Sequence, residues 1–141
     1  MLSDNIHNTT VFKINNELDV ARAVLTSTSM TKKIGFTQGM QNVIATIVSE
    51  LAKNILYHAK SGEITLAAIK NDKKRGIEIC AKDRGPGIKD IGRAMEDHFS
   101  TRNTLGLGLP AVKRMADELS IDSKFGEGTI IVARKWLHGK S

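Results

Sequence analysis

Lys82-Asp83-Arg84-Gly85-Pro86-Gly87-Ile88 is the stretch on which the fold turns. An aspartate that leaves a strand into Gly-x-Gly presents a carboxylate beside backbone without a Cβ, so a flat ligand can lie against the chain there. The same letters also suit a type I or II turn chosen for conformation alone, and the motif by itself leaves both readings open.

Working outward, Gly76 to Lys82 reads as the strand that delivers Asp83. Glu63 to Lys70 reads as its antiparallel partner across the polar turn Asn71-Asp72-Lys73-Lys74-Arg75. Upstream, Ile44, Ile47, Val48, Leu51 and Ile55 recur at three- and four-residue spacing, which predicts a central core helix from Thr37 to about Ala59. Thr9 to Ile14 suits an opening strand, followed by a helix capped at Asn16 or Asp19 and running towards Gly35, with the Thr/Ser-rich Thr26 to Thr31 weakening its pattern. Downstream lies a glycine-rich irregular region, 84 to 108, with a short amphipathic piece at Ile91 to Phe99. Leu109, Val112, Ala116 and Leu119 then share one face of a predicted helix over 109–119 with Pro110 in its first turn, and Ser120 to Lys124 pairs with Thr129 to Trp136 in a hairpin across Gly126-Glu127-Gly128.

The 141 residues are 40% hydrophobic and 26% charged, which suits one globular domain over 1–141. A formal charge of +6 favours anionic partners. Aromatics are only 4% and the basic residues are scattered, so the stacking groove of a single-stranded nucleic-acid binder is missing. Cys80, the only cysteine, permits no intrachain disulfide and suggests a core strand position. The N-terminus shows no basic-then-apolar leader and no apolar run reaches membrane-spanning length, so a cytoplasmic protein is expected, with no membrane or nucleic-acid partner.

Two further groups carry chemistry. On the central helix Glu50 and Asn54 project about 40° apart, one turn removed, on the flank of the apolar stripe. Asn54 offers Mg²⁺ a neutral oxygen and Glu50 offers a base, although an ordinary surface Glu–Asn pair has the same spacing. The run Gly106-Leu107-Gly108-Leu109-Pro110-Ala111 fits G-x-G-x-x-A, but no buried strand precedes it and a hairpin follows, which argues against a dinucleotide fold. What survives is a helix start whose amides suit phosphate, with Ser100, Thr101 and Arg102 near in sequence. There is no G-x-x-x-x-G-K-[ST], H-R-D or D-F-G set, which excludes P-loop and eukaryotic-type kinase sites. His58 continues the Glu50–Asn54 spacing and reads as structural.

In order, Glu50-x-x-x-Asn54, Asp83-x-Gly85-x-Gly87, Gly106-Leu-Gly-Leu-Pro110 and Gly126-Glu-Gly-Thr129 resemble the boxes of the GHKL ATPases. Asp90-Ile91, Met95-Glu96-Asp97, Phe99-Ser100-Thr101, Val112-Lys113-Arg114 and Lys135-Trp136 are similar to the bacterial anti-sigma-factor serine/threonine kinases, nearest the RsbT-type stressosome kinases. The resemblance covers nearly the whole chain. It differs at Asn103-Thr104, where glycines are common, and at His98, where a glycine usually precedes Phe-Ser-Thr, which bears on the lid and substrate choice.

This resemblance implies the Bergerat fold, an α/β (α+β) two-layer sandwich with helices on one face of a mixed, largely antiparallel sheet. It implies ATP and Mg²⁺ as cofactors, Glu50 as catalytic base, Asn54 as the Mg²⁺ ligand and Asp83 as reader of the adenine amine, supported by Thr129. Gly85, Gly87, Ile88, Thr101, Arg102, Gly106, Leu107, Gly108 and Leu109 would wrap the nucleotide. The implied activity is transfer of the ATP γ-phosphate to a STAS-domain scaffold or antagonist in a partner-switching pathway that controls stress signalling, with a phosphatase or anti-sigma component as possible downstream regulator. The rival expectation is a nucleotide-dependent anti-sigma or regulator-binding switch without phosphotransfer.

Overall fold

The computed structural model describes residues 5–87, 108–124 and 126–138. Their order is β1 (Asn5–Ile14), α1 (Glu17–Ile34), α2 (Gln38–Asn54), a π turn (Ile55–Ala59), β2 (Gly62–Lys70), β3 (Arg75–Asp83), α3 (Leu109–Met115), β4 (Glu118–Lys124) and β5 (Gly128–Leu137). The strands form one sheet in the order β1-β2-β3-β5-β4. Every pairing among the described residues is antiparallel, so the expected parallel component is not seen there.

Strand alternation sets the two faces of the sheet. Ile64 and Leu66 of β2, Ile77, Ile79 and Ala81 of β3, and Ile131 and Ala133 of β5 join Ile44, Ile47, Val48 and Leu51 of α2 in one buried cluster. Those four α2 side chains are fully buried, and truncating any one of them to alanine costs roughly 2–5 kcal/mol. Cys80 alternates with Ile79 and Ala81, so it faces the side of the sheet opposite the buried cluster and is half-buried. The core position expected for it is therefore incorrect: the apolar run around it is real, but strand parity turns its side chain outward.

Local chemistry fixes the helix ends. Asn16 caps α1 by accepting from Asp19 N at 2.9 Å, and Gly35, at φ 115°, closes it in the left-handed conformation. The Thr/Ser-rich segment does not weaken α1, because its hydroxyls turn back onto the helix: Ser27 Oγ donates to the Val24 carbonyl at 2.7 Å and Thr31 Oγ1 to the Ser27 carbonyl at 2.8 Å. Thr37 caps α2, and the buried Gln41 donates to the Phe36 carbonyl at 2.9 Å, which ties off the turn between the helices.

Two expected helices are shorter in the structure. The α-helix from Thr37 to Ala59 ends at Asn54 and gives way to the π turn, which closes at Lys60 with φ 71°. The helix expected over 109–119 stops at Met115. Lys135 Nζ donates to the Met115 carbonyl and Trp136 N to Asp117 Oδ2, so β5 captures the chain, and Glu118 and Leu119 enter the sheet opposite Arg134 and Ala133. The amphipathic piece expected at 91–99 lies outside the described residues.

Candidate active site

The site is assembled at one end of the sheet, where α2 passes into its π turn and β3 ends at Asp83. Asp83 is the last residue of β3, paired with Gly62 of β2 on one side and Thr129 of β5 on the other. Its Oδ1 accepts from Gly85 N at 2.8 Å, so the turn after the strand fixes the carboxylate.

Glycine here answers to space as well as conformation. A Cβ on Gly85 would stand 2.6 Å from Ala59 Cβ, so the Asp-Gly turn lies directly on the end of the π turn. A Cβ on Gly128, at φ 126°, would collide with the Asp83 carbonyl oxygen. Gly126 N donates to the Pro86 carbonyl at 2.6 Å. The Asp83 and Gly126–Thr129 motifs, far apart in the chain, are thus stitched together through backbone.

Thr129 is 94% buried by its 6% exposure, and its Oγ1 lies 2.8 Å from Ser123 Oγ, which also donates to the Gly128 carbonyl at 3.2 Å. Ser123 therefore sets the direction of the Thr129 hydroxyl. Sequence reasoning passed over Ser123, because only the register of β4 on β5 (Ser123↔Thr129) brings it there.

Glu50 and Asn54 are both half-buried on the last turns of α2. The Glu50 carboxylate lies on Gly108, the left-handed residue (φ 72°) that opens α3, so closely that a Cβ on Gly108 would collide with Oε1. Asn54 Oδ1 is enclosed and has no hydrogen-bond partner among the described residues, and the same holds for His58 Nε2 one turn on. A buried oxygen without a donor is costly unless something outside the chain satisfies it. Burial holds the His58 imidazole below its usual pKa, with the Asp83 carboxylate partly offsetting that shift. His58, expected to be structural, is thus near enough to Asp83 to feel its charge.

The structure brings Glu50, Asn54, Asp83, Gly85, Gly108 and Thr129 to one end of the molecule, with Gly87 at φ 78° in the turn and Leu109 buried at the start of α3. Ile88, Thr101, Arg102, Gly106 and Leu107 lie outside the described residues. Two cavities, about 360 Å³ and 250 Å³, have Asp83 in their walls. Among the described residues no cluster of three His, Cys, Asp or Glu side chains is placed to hold a metal. No helix of the described residues is long and apolar enough to cross a membrane.

The chain matches the histidine kinase-like ATPase domain over residues 14–135. It is 46% identical over 125 residues to the serine/threonine-protein kinase RsbT of Bacillus subtilis (strain 168), covering 89% of this chain and 94% of RsbT. Anti-sigma F factors of Caldanaerobacter subterraneus subsp. tengcongensis and Thermoanaerobacter sp. (strain X514) are 37% and 36% identical, each over 67% of this chain and 68% of the relative.

Proposed function

The chain belongs to the histidine kinase-like ATPase family, and on that premise we propose that it is an ATP-dependent protein serine/threonine kinase acting as one domain over 1–141 in a partner-switching pathway. The observation that carries the reading is the contact between Glu50 and Gly108, with the partnerless Asn54 oxygen one turn further along α2. A carboxylate and a neutral oxygen thus stand one turn apart on the last turns of α2, the carboxylate against the residue that opens α3.

Glu50 accepts the proton of a serine or threonine hydroxyl on the partner as that oxygen attacks the γ-phosphorus. The bond from the γ-phosphorus to its bridging oxygen breaks, and ADP leaves with the electron pair. Asp83 accepts from the exocyclic amine of adenine, held by its bond from Gly85 N, and Thr129, aimed by Ser123, supports it. Asn54 Oδ1 fits Mg²⁺, an ion that favours oxygen ligands and offsets phosphate charge when bound. The family resemblance assigns Gly85, Gly87, Ile88, Thr101, Arg102, Gly106, Leu107, Gly108 and Leu109 to wrapping the nucleotide.

The resemblance to stressosome kinases supports a STAS-domain protein as acceptor and the cytoplasm as compartment. The test is intact mass of candidate STAS partners incubated with this chain and Mg-ATP. A gain of one phosphoryl group on a partner is the expected result. ATP binding without any mass gain on any partner would leave a nucleotide-dependent regulator-binding switch.

A further inference from the structure

At the other end of the sheet, a cleft of about 620 Å³ opens between α1 and the β1–β2 edge. Thr26, Ser29, Met30 and Lys33 of α1 line it at three- and four-residue spacing, so one stripe of the helix faces it. Lys70 and Arg75 close it from the β2–β3 hairpin.

The charges in this cleft are the unusual feature. Lys33 lies in the last turn of α1, where a cation suits the negative end of the helix, and Arg75 reaches the same end, 3.5 Å from where a Cβ on Gly35 would stand. That accounts for two cations but not for the third. Lys70 pairs directly across the ladder with Arg75, and like charges directly opposite one another destabilise a hairpin. No carboxylate of the described residues forms an ion pair with Lys33, Lys70 or Arg75. Three cations thus converge on one cleft without a counter-charge among those residues.

The wall beside them is partly apolar, through Met30, Ile34 and Ile69, and partly hydroxylic, through Thr10 and Thr26. The β1 ladder slips between His7 and Thr10, with Asn8 at φ 52°, so backbone polar groups at the cleft's edge leave the regular pairing. The volume suits several side chains rather than a single small anion. Arg75 begins β3 and Asp83 ends it, which puts the cleft roughly 27 Å from the adenine-reading end at the usual rise per residue.

We propose that this cleft is a docking site for an acidic polypeptide segment of a partner protein, with carboxylates between Lys33, Lys70 and Arg75 and an apolar side chain against Met30 and Ile34. The site is separate from the nucleotide site and does not depend on phosphotransfer.

The test uses the full chain, ¹⁵N-labelled, and a short fluorescein-labelled peptide of Glu, Ala and Leu, with the Lys counterpart, inorganic phosphate and oligo(dT) as comparison probes. The acidic peptide is expected to raise anisotropy in a salt-sensitive way and to shift amides around Thr10, Lys33, Lys70 and Arg75. Lys70→Glu should weaken it by at least about tenfold while ATP affinity stays unchanged. Should Lys70→Glu fail to fold, Lys70→Gln and Arg75→Gln, checked by thermal melting, carry the comparison. Unchanged peptide affinity in these variants, or shifts confined to other surfaces, overturns the proposal. Phosphate shifting the same amides as strongly would make this a small-anion site, and tighter, Lys70-dependent binding of oligo(dT) would make it a nucleic-acid surface; either result also overturns it.

Discussion

Glu50 of α2 and Gly108, the residue that opens α3, lie so close that a Cβ at position 108 would meet the Glu50 carboxylate. The relationship joins the proposed base to the helix start that would face phosphate. Gly108→Ala must both hold an L side chain at φ 72° and push the carboxylate aside. The left-handed strain alone costs about 1–2 kcal/mol. Phosphotransfer should fall by at least about tenfold, whereas Gly126→Ala, at φ 84° but facing open space, loses stability only. Equal activity of the two variants would sink the proposed role of the contact.

Glu50→Gln and Asn54→Ala should separate chemistry from binding. Glu50→Gln retains ATP affinity and loses transfer by roughly 10²-fold or more. Asn54→Ala removes an enclosed oxygen that has no described partner, so the melting temperature without nucleotide should hold or rise. Its Mg-ATP affinity should drop by about tenfold. Calorimetric titration with and without Mg²⁺ checks this, and an Asn54→Ala affinity equal to wild type in the presence of Mg²⁺ would refute the ligand role.

The Ser123–Thr129 pair predicts a specificity effect. Thr129→Val keeps shape but deletes the hydroxyl, and loss of one hydrogen bond of about 1 kcal/mol corresponds to roughly fivefold weaker ATP binding. Thr129→Ser should restore most of it. Ser123→Ala should shift affinity in the same direction but less, because it redirects the hydroxyl without deleting it.

His58 gives a pH dependence of known sign. Burial lowers its folded pKa beneath the unfolded value of 6.5, so as pH falls the unfolded chain takes up the proton first. The stability contributed by neutral His58 is complete above pH 6.5 and declines below it. Urea midpoints measured through that range should fall in the wild type and fall less in His58→Gln; parallel curves would remove His58 as the cause.

Cys80 is half-buried on the face of the sheet opposite the core cluster, and burial together with Glu78 raises its thiol pKa, with Lys82 opposing. Native protein at mildly alkaline pH should therefore react with iodoacetamide about tenfold more slowly than protein in urea. Matching rates would show that the face is open at Cys80.

Much of this protein is legible without coordinates. The spacing of Ile44, Ile47, Val48 and Leu51 fixes α2 and its buried face, since helical period and burial are local properties of the chain. The two hairpins follow from polar turns between β-rich runs, and the Asp83-Gly85 turn from side-chain chemistry two residues apart. Tertiary structure alone decided the rest. That α3 ends at Met115, that Ser123 reaches Thr129, that Cys80 faces outward and that Glu50 rests on Gly108 each depend on which strand or helix lies alongside. Such neighbours are set by packing between residues distant in the chain, and no local period or motif encodes them. The Lys70–Arg75 opposition belongs to the same class, because only the ladder register shows that two ordinary surface cations face each other across one cleft.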